Sequence, residues 1–167
     1  MFLGRLEAIK GVHHAIAIAR AAGRRLIIAG NRVDHPEGQA YFTNEIQPHL
    51  GDAVEYVGEV DDARKNTLLG AAAALLMPIE WDEPFGIVMI EALACGTPVI
   101  GFDRGSVPEV VRHAETGFVC RTPSEACDAV ADLGRIRRAR CRQDVEQRFS
   151  AAAMVDAYER VYAEFIA

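Results

Sequence analysis

The stretch "AAALLMPIEWDEPFGIVMIEALACGTPVIGF", residues 72–102, runs from small and aliphatic residues through an acidic, aromatic loop, then a long apolar segment, and back to an aliphatic run. "AAALLMP" reads as a buried strand that ends at Pro78, because proline has no N–H for the ladder. The segment after Gly86 reads as a buried helix, and "PVIGF" as the next strand. Two apolar strands joined by a helix make a parallel βαβ unit, and mostly apolar strands belong to a sheet covered on both faces. Glu91 then stands out as an acid within a helix that is otherwise almost wholly apolar.

The same alternation extends in both directions. "MFLGRL" (1–6) reads as the first strand, and Gly11 to Ala22 as a helix with Val12, Ala15, Ile16 and Ala19 at helical spacing. "RLIIAG" (25–30) is the second strand, followed by a turn-rich loop with Asn31, Asp34, Pro36 and Gly38 and a helix near Gln39 to Leu50. "AVEYVG" (53–58) is the third, and Asp61 or Asp62 caps the helix running through Leu68 and Leu69. After the fifth strand come a short helical turn at "VPEVV" and a sixth strand at "GFVC" (117–120). The remaining residues read as helical, with breaks near Gly134 and Ser150 and a last helix over 150–167. These elements predict a single α/β domain over 1–167, a Rossmann-like doubly wound parallel sheet of about six strands with helices on both faces.

Composition narrows the function classes. The 167 residues carry 18 basic and 24 acidic side chains, a formal charge of -6, which argues against nucleic acid or an anionic membrane surface as partner. The run from Arg135 to Arg142 is expected to be the solvated face of a helix. Cys95, Cys120, Cys127 and Cys141, spaced by 25, 7 and 14, form neither a C-x-x-C pair nor a disulfide framework. They read as free thiols in a reducing compartment, and with no leader pattern or membrane-spanning run they predict a cytoplasmic location.

In doubly wound sheets ligands lie beyond the carboxyl ends of the strands. The loop after strand one brings Gly4 and Arg5, with Lys10 at the following helix start. The loop after strand four brings Trp81 to Gly86 and then a helix N-terminus, whose free N–H groups and positive dipole end suit phosphate. Glu91 lies five residues past Gly86, roughly 7.5 Å down that helix, a distance that suits a ribose when a diphosphate rests on the helix end. A buried carboxylate there requires a strong partner, which ligand hydroxyls supply in part.

"FLGRL" with "KG", and above all "EPFGIVMIEALACGTPVIGFDRGSVPEVV", resemble the C-terminal domain of retaining glycosyltransferases of family four, enzymes of the two-domain GT-B fold. The resemblance spans essentially the whole chain. Its most specific part is the E-x7-E motif with Phe-Gly inside it and Ala-x-x-x-Gly-x-Pro-Val behind it. It implies that Glu83 binds hydroxyls of the donor sugar, that Glu91 holds the ribose, and that Arg5 and Lys10 contact the diphosphate. Main-chain N–H groups of Gly86, Ile87 and Val88, with Phe85 beside them, complete the implied donor site. The implied substrate is a nucleotide diphosphate sugar of uridine or guanosine type, used without metal and transferred with retention. Members carry an N-terminal acceptor domain that this sequence lacks, so it implies donor binding with little transfer alone. Whether the chain is a fragment, a truncated gene or a natural single-domain protein stays open, as does peripheral membrane association of a full-length enzyme.

Simpler roles stand beside these. Glu83 reads also as a helix cap, Glu91 as the partner of a core Lys or Arg, and Arg5 and Lys10 as surface charges. Trp81 reads as a lid over its loop, Asn31, Arg32 and Asp34 as turn formers, Ser106 and Glu109 as a cap and a short-helix acid, and His13 and His14 as helix-surface residues without chemistry. Met154, Tyr158, Val161, Tyr162 and Phe165 form an apolar stripe on the last helix, expected to pack on its own domain, the alternative being a contact with another chain such as a second copy. A non-catalytic nucleotide-sugar-binding module and a nucleotide-sugar epimerase remain the competing functions. A dinucleotide-dependent oxidoreductase fits worst, because "GRLEAIKG" lacks G-x-G-x-x-G.

Overall fold

The computed structural model describes residues 1–166. Six strands form: β1 (Phe2–Leu3), β2 (Leu26–Ala29), β3 (Val54–Tyr56), β4 (Leu75–Met77), β5 (Val99–Phe102) and β6 (Gly117–Cys120). They pair in parallel as β1-β2-β3 and β4-β5-β6, with Phe2 opposite Ile28 and Leu76 opposite Ile100. The two sheets meet where Leu76 N–H donates to the Met1 carbonyl at 2.8 Å, so the strands run 3-2-1-4-5-6. Winding reverses between β1 and β4, and that reversal parts the loops at their carboxyl ends.

All four residues of β5 are buried, which requires cover on both faces. Helix α1 (Val12–Ala21) packs with α6 (Pro123–Ala131), while α4 (Ile87–Ala94) packs with α3 (Asp62–Ala71) and α7 (Arg138–Arg148). Val12, Ala15, Ile16 and Ala19 of α1 are buried as their spacing predicts, together with Ile18. Each fully buried Val or Ile contributes about 1.5–3 kcal/mol of apolar transfer. Asp61, not Asp62, caps α3 by accepting from Arg64 N–H at 2.8 Å. Thr122 caps α6 at 3.2 Å, with Pro123 at the first helical position.

The six parallel strands follow the sequence expectation, with local departures. The first strand is only two residues long, although its pairing resumes at Leu6, whose N–H donates to Asn31 C=O at 3.0 Å. The helix expected over 39–50 starts earlier, as α2 (Pro36–Tyr41) capped by His35, and passes into a π turn at Phe42–Ile46 and a 3-10 turn at Gln47–His49. Pro48 causes the change, because it cannot donate to the carbonyl four residues back.

The Arg-rich run is not simply a solvated face. Arg138 reaches across to cap the end of α3, donating to Gly70 C=O at 2.7 Å and Ala72 C=O at 2.8 Å, and also to Thr97 Oγ1 at 2.7 Å. On the same helix Asp144 is fully buried: its Oδ2 accepts from Arg148 at 2.7 Å, and its Oδ1 makes no hydrogen bond but lies 2.6 Å from Arg112 as an ion pair. Arg148 in turn holds the C-terminal carbonyls of α5 (Val107–Val110).

Helix α8 (Ala151–Ile166) overturns the expected packing of its stripe. None of its described residues is buried, and Phe165 is 85% exposed. No helix of the described residues is long and apolar enough to cross a membrane.

Candidate functional site

A cavity of about 160 Å³ opens at the carboxyl ends of β1 and β4, where the winding reverses. Arg5, Lys10, Glu83, Gly86, Ile87 and Val88 line it, on an apolar floor that includes Met77 and Ile79. The chain turns into α4 at Gly86, whose φ of 72° lies in the left-handed region that favours glycine, and no side chain caps the first turn. The N–H groups of Ile87 and Val88 therefore stand at the cavity wall, at the positive end of the helix dipole.

Lys10 ends a 3-10 turn, Ala8–Lys10, that sets it against the loop after β4. Its ammonium pairs with Glu83 and lies 4.5 Å from the Trp81 ring centroid. Trp81 also donates its indole N–H to Glu83, so it braces the pair. The Glu83 backbone is pinned from the other side: Ser106 N–H donates to its carbonyl at 2.8 Å. Gly105, at φ 49°, approaches so closely that a Cβ there would sit 2.4 Å from Glu83 N. Arg5 is half-exposed and pairs with Glu7 at 3.3 Å, leaving its guanidinium room to swing over the cavity.

Two predicted residues stand outside the cavity. Phe85 is exposed, its ring edge-on to Phe149 at 6.3 Å between centroids. Glu91 is not buried as its sequence context suggests: its side chain is 28% exposed and its carboxylate pairs with Lys65 at 2.6 Å. Lys65 also holds Asp62 at 2.9 Å, and its pKa is raised chiefly by the Glu91 hydrogen bond and then by Asp62. Sequence reasoning anticipated a basic partner for Glu91 but not which one. Lys65 lies 26 positions away on α3, where its only local signal is its i,i+3 spacing from Asp62.

The remaining residues fall mostly to structural roles. Arg32 stacks over Phe42 at 3.9 Å, and the Asn31 carbonyl accepts from Leu6. Glu109 is exposed; Ser106 precedes α5, its hydroxyl buried without a hydrogen-bond partner. His13 and His14 are more engaged than surface residues. His13 contacts the Tyr41 hydroxyl at 2.8 Å, and its pKa is lowered by burial and by His14, against opposing pulls from Glu80 and Glu45. Of two roomier hollows, one of about 330 Å³ beside Ala71–Ala74 has Arg24 and Arg25 but no acid, and one of about 590 Å³ beside Asp103 and His113 has Arg112, Arg121 and Glu125 but no open helix end, α6 being capped by Thr122.

The model of the family "Glycosyl transferases group 1" matches residues 1–152. The chain belongs to that family. It is 30% identical over 167 residues to an N-acetyl-alpha-D-glucosaminyl L-malate synthase of Bacillus anthracis, covering 95% of this chain and 42% of that relative. It is 32% identical over 177 residues to a glycogen synthase of Mycobacterium tuberculosis, covering 97% of this chain and 41% of the relative. Among solved structures, AviGT4, a glycosyltransferase involved in avilamycin A biosynthesis, superposes with a TM-score of 0.82 at 30% identity, over 99% of this chain and 51% of that one. The Anabaena protein HepE, solved with UDP and glucose, shares the fold at a TM-score of 0.79 and 21% identity. This group 1 glycosyltransferase domain thus spans about two fifths of the length of these curated relatives, and its six-stranded architecture matches half of a GT-B structure.

Proposed function

We propose that this domain binds the nucleotide diphosphate sugar of a retaining glycosyltransferase. The observation that carries the reading is the convergence of Arg5, Lys10, Glu83 and the uncapped start of α4 on one cavity at the switch between β1 and β4. The diphosphate rests on the N–H groups of Ile87 and Val88, and Lys10 with Arg5 neutralises charge that develops on the leaving nucleotide, an electrostatic contribution made by fixed donors. Glu83 accepts hydrogen bonds from donor-sugar hydroxyls. Glu91, a turn and a half further along α4, accepts from the ribose once it shares or releases Lys65. The positive charges already present meet the need that a divalent metal would otherwise serve.

Retaining transfer requires donor and acceptor to be held together at the anomeric carbon. A separate acceptor-binding domain provides the second wall, and the exposed apolar stripe of α8 is its proposed landing surface. Calorimetric titration with UDP, GDP and ADP, without added metal, tests the donor site. Saturable binding of UDP or GDP that weakens in both Lys10→Ala and Glu91→Ala supports it. Absence of binding to all three, with the fold intact by circular dichroism, contradicts it. A transfer rate by this chain equal to that of a two-domain relative contradicts the need for a second wall.

A further inference from the structure

His13, His14 and Glu80 form a cluster that donor binding does not use. One ligand atom from each lies within 4.8 Å of the other two, with the His14 Nε2 to Glu80 Oε1 distance 2.8 Å and the His13 Nε2 to Glu80 Oε1 distance 3.8 Å. Neighbouring residues on a helix normally diverge, yet these two rings converge, their centroids 4.1 Å apart and both side chains partly open to solvent. Tyr41 holds the His13 ring, its hydroxyl oxygen accepting the His13 amide N–H at 3.1 Å and contacting Nδ1 at 2.8 Å, while Glu80 and the Phe102 ring, 5.5 Å away, face His14.

We propose that His13, His14 and Glu80 bind a divalent transition-metal ion of the zinc class, tying the start of α1 to the loop that carries Glu83. Zinc takes imidazole nitrogen and carboxylate oxygen at about 2.0–2.2 Å, which puts neighbouring donors of a tetrahedral site roughly 3.3 Å apart. The observed separations straddle that value, so small side-chain rotations seat all three donors, and water fills the open position. Two imidazoles and one carboxylate favour zinc, nickel or copper over magnesium and calcium, which prefer all-oxygen sites. On binding, the proton shared by His14 Nε2 and Glu80 passes to solvent or to Nδ1 of His14. His13 keeps its proton on Nδ1 and donates it to the Tyr41 oxygen, the outer contact that orients a ligating histidine.

The site is three residues from Lys10 and two from Asp82, but its occupancy does not depend on nucleotide. The test is calorimetric titration of untagged protein with Zn²⁺ and, separately, Mg²⁺, in a Cys95→Ser, Cys127→Ser background so that no partly exposed thiol competes. The expected result is one Zn²⁺ per chain, no Mg²⁺ binding, at least tenfold weaker Zn²⁺ binding in His14→Ala and Glu80→Gln, and about tenfold weaker binding in Tyr41→Phe. Thermal unfolding follows the same pattern, with Zn²⁺ raising the midpoint of the parent and not of His14→Ala. Equal Zn²⁺ binding by the parent and His14→Ala, or no saturable binding by the folded parent, overturns the proposal.

Discussion

Lys10 Nζ lies 2.5 Å from Glu83 Oε2, with 15% and 14% of their side chains exposed, and among the described residues their polar side-chain contacts are with each other and the Trp81 indole. Removing the cation strands a carboxylate that little water reaches. Lys10→Met is therefore expected to lower unfolding stability by about 1–3 kcal/mol, the cost of an unsatisfied, largely buried group. The same change is expected to weaken UDP or GDP binding by at least tenfold. Glu83→Gln keeps a neutral partner in place, so denaturant unfolding should show a smaller loss, which separates the structural role from the binding role.

The Lys65 and Glu91 pair is more open to water, with 20% and 28% exposure, and a double-mutant cycle is expected to return a coupling of about 0.5–1 kcal/mol. The functional effect should be larger in proportion. Lys65 balances Glu91 and fixes its rotamer, so Lys65→Ala is expected to reduce nucleotide affinity several-fold while a nucleobase without ribose binds unchanged. Equal losses for both ligands would remove the ribose from the account.

Gly105 holds the Glu83 loop through backbone contact alone. At φ 49°, with its added Cβ 2.4 Å from Glu83 N, Gly105→Ala must displace the loop. A cost of about 1–3 kcal/mol from the left-handed backbone and the clash is expected, together with weaker nucleotide binding although no ligand-facing atom has been removed. Gly134→Ala is the control: nothing stands within 4 Å of its added Cβ, and it should leave both quantities unchanged.

Burial pushes the thiols of Cys120 and Cys141 up to about 11 from 9.0, and the Tyr41 hydroxyl up to about 12 from 10.0. Unfolding releases these groups to ionise at their ordinary values, so the unfolded state loses protons first as pH rises. The stability these three groups contribute is then fully present below pH 9 and is lost from pH 9 upward, most steeply between about pH 10 and 11. Denaturant midpoints measured from pH 8 to 11 check the sign. In the folded protein at pH 8, Cys95 and Cys127 should react with a thiol reagent well before Cys120 and Cys141, which are buried.

Much of this was readable in the residues. Strand six falls on the expected "GFVC" to the residue, and the other strands lie inside their expected runs, because apolar β-branched runs broken by Gly and Pro leave few alternatives. The cavity residues could be gathered from the sequence because a doubly wound sheet brings the loops after β1 and β4 to one place whatever their separation in sequence. Pairings between elements could not be read that way. Nothing in the spacing joins Lys65 to Glu91 or Arg138 to the end of α3, since both depend on how helices lie across the sheet. Periodicity reveals the apolar stripe of α8 but not what covers it, and the approach of the His13 and His14 rings cannot be read from the sequence, since adjacent helical residues ordinarily point apart.

The central claim is that a nucleotide diphosphate sits on the start of α4 between Lys10 and Arg5. Its most direct test is titration of the isotope-labelled domain with UDP and GDP, followed by backbone amide resonances. The account predicts that, for the nucleotide that binds, the largest saturable shifts are at Gly86, Ile87 and Val88, with smaller ones at Arg5 and Lys10, and that these are lost in Lys10→Met. Shifts centred on Ala71 to Ala74 or on His113, or none with either nucleotide, would contradict it.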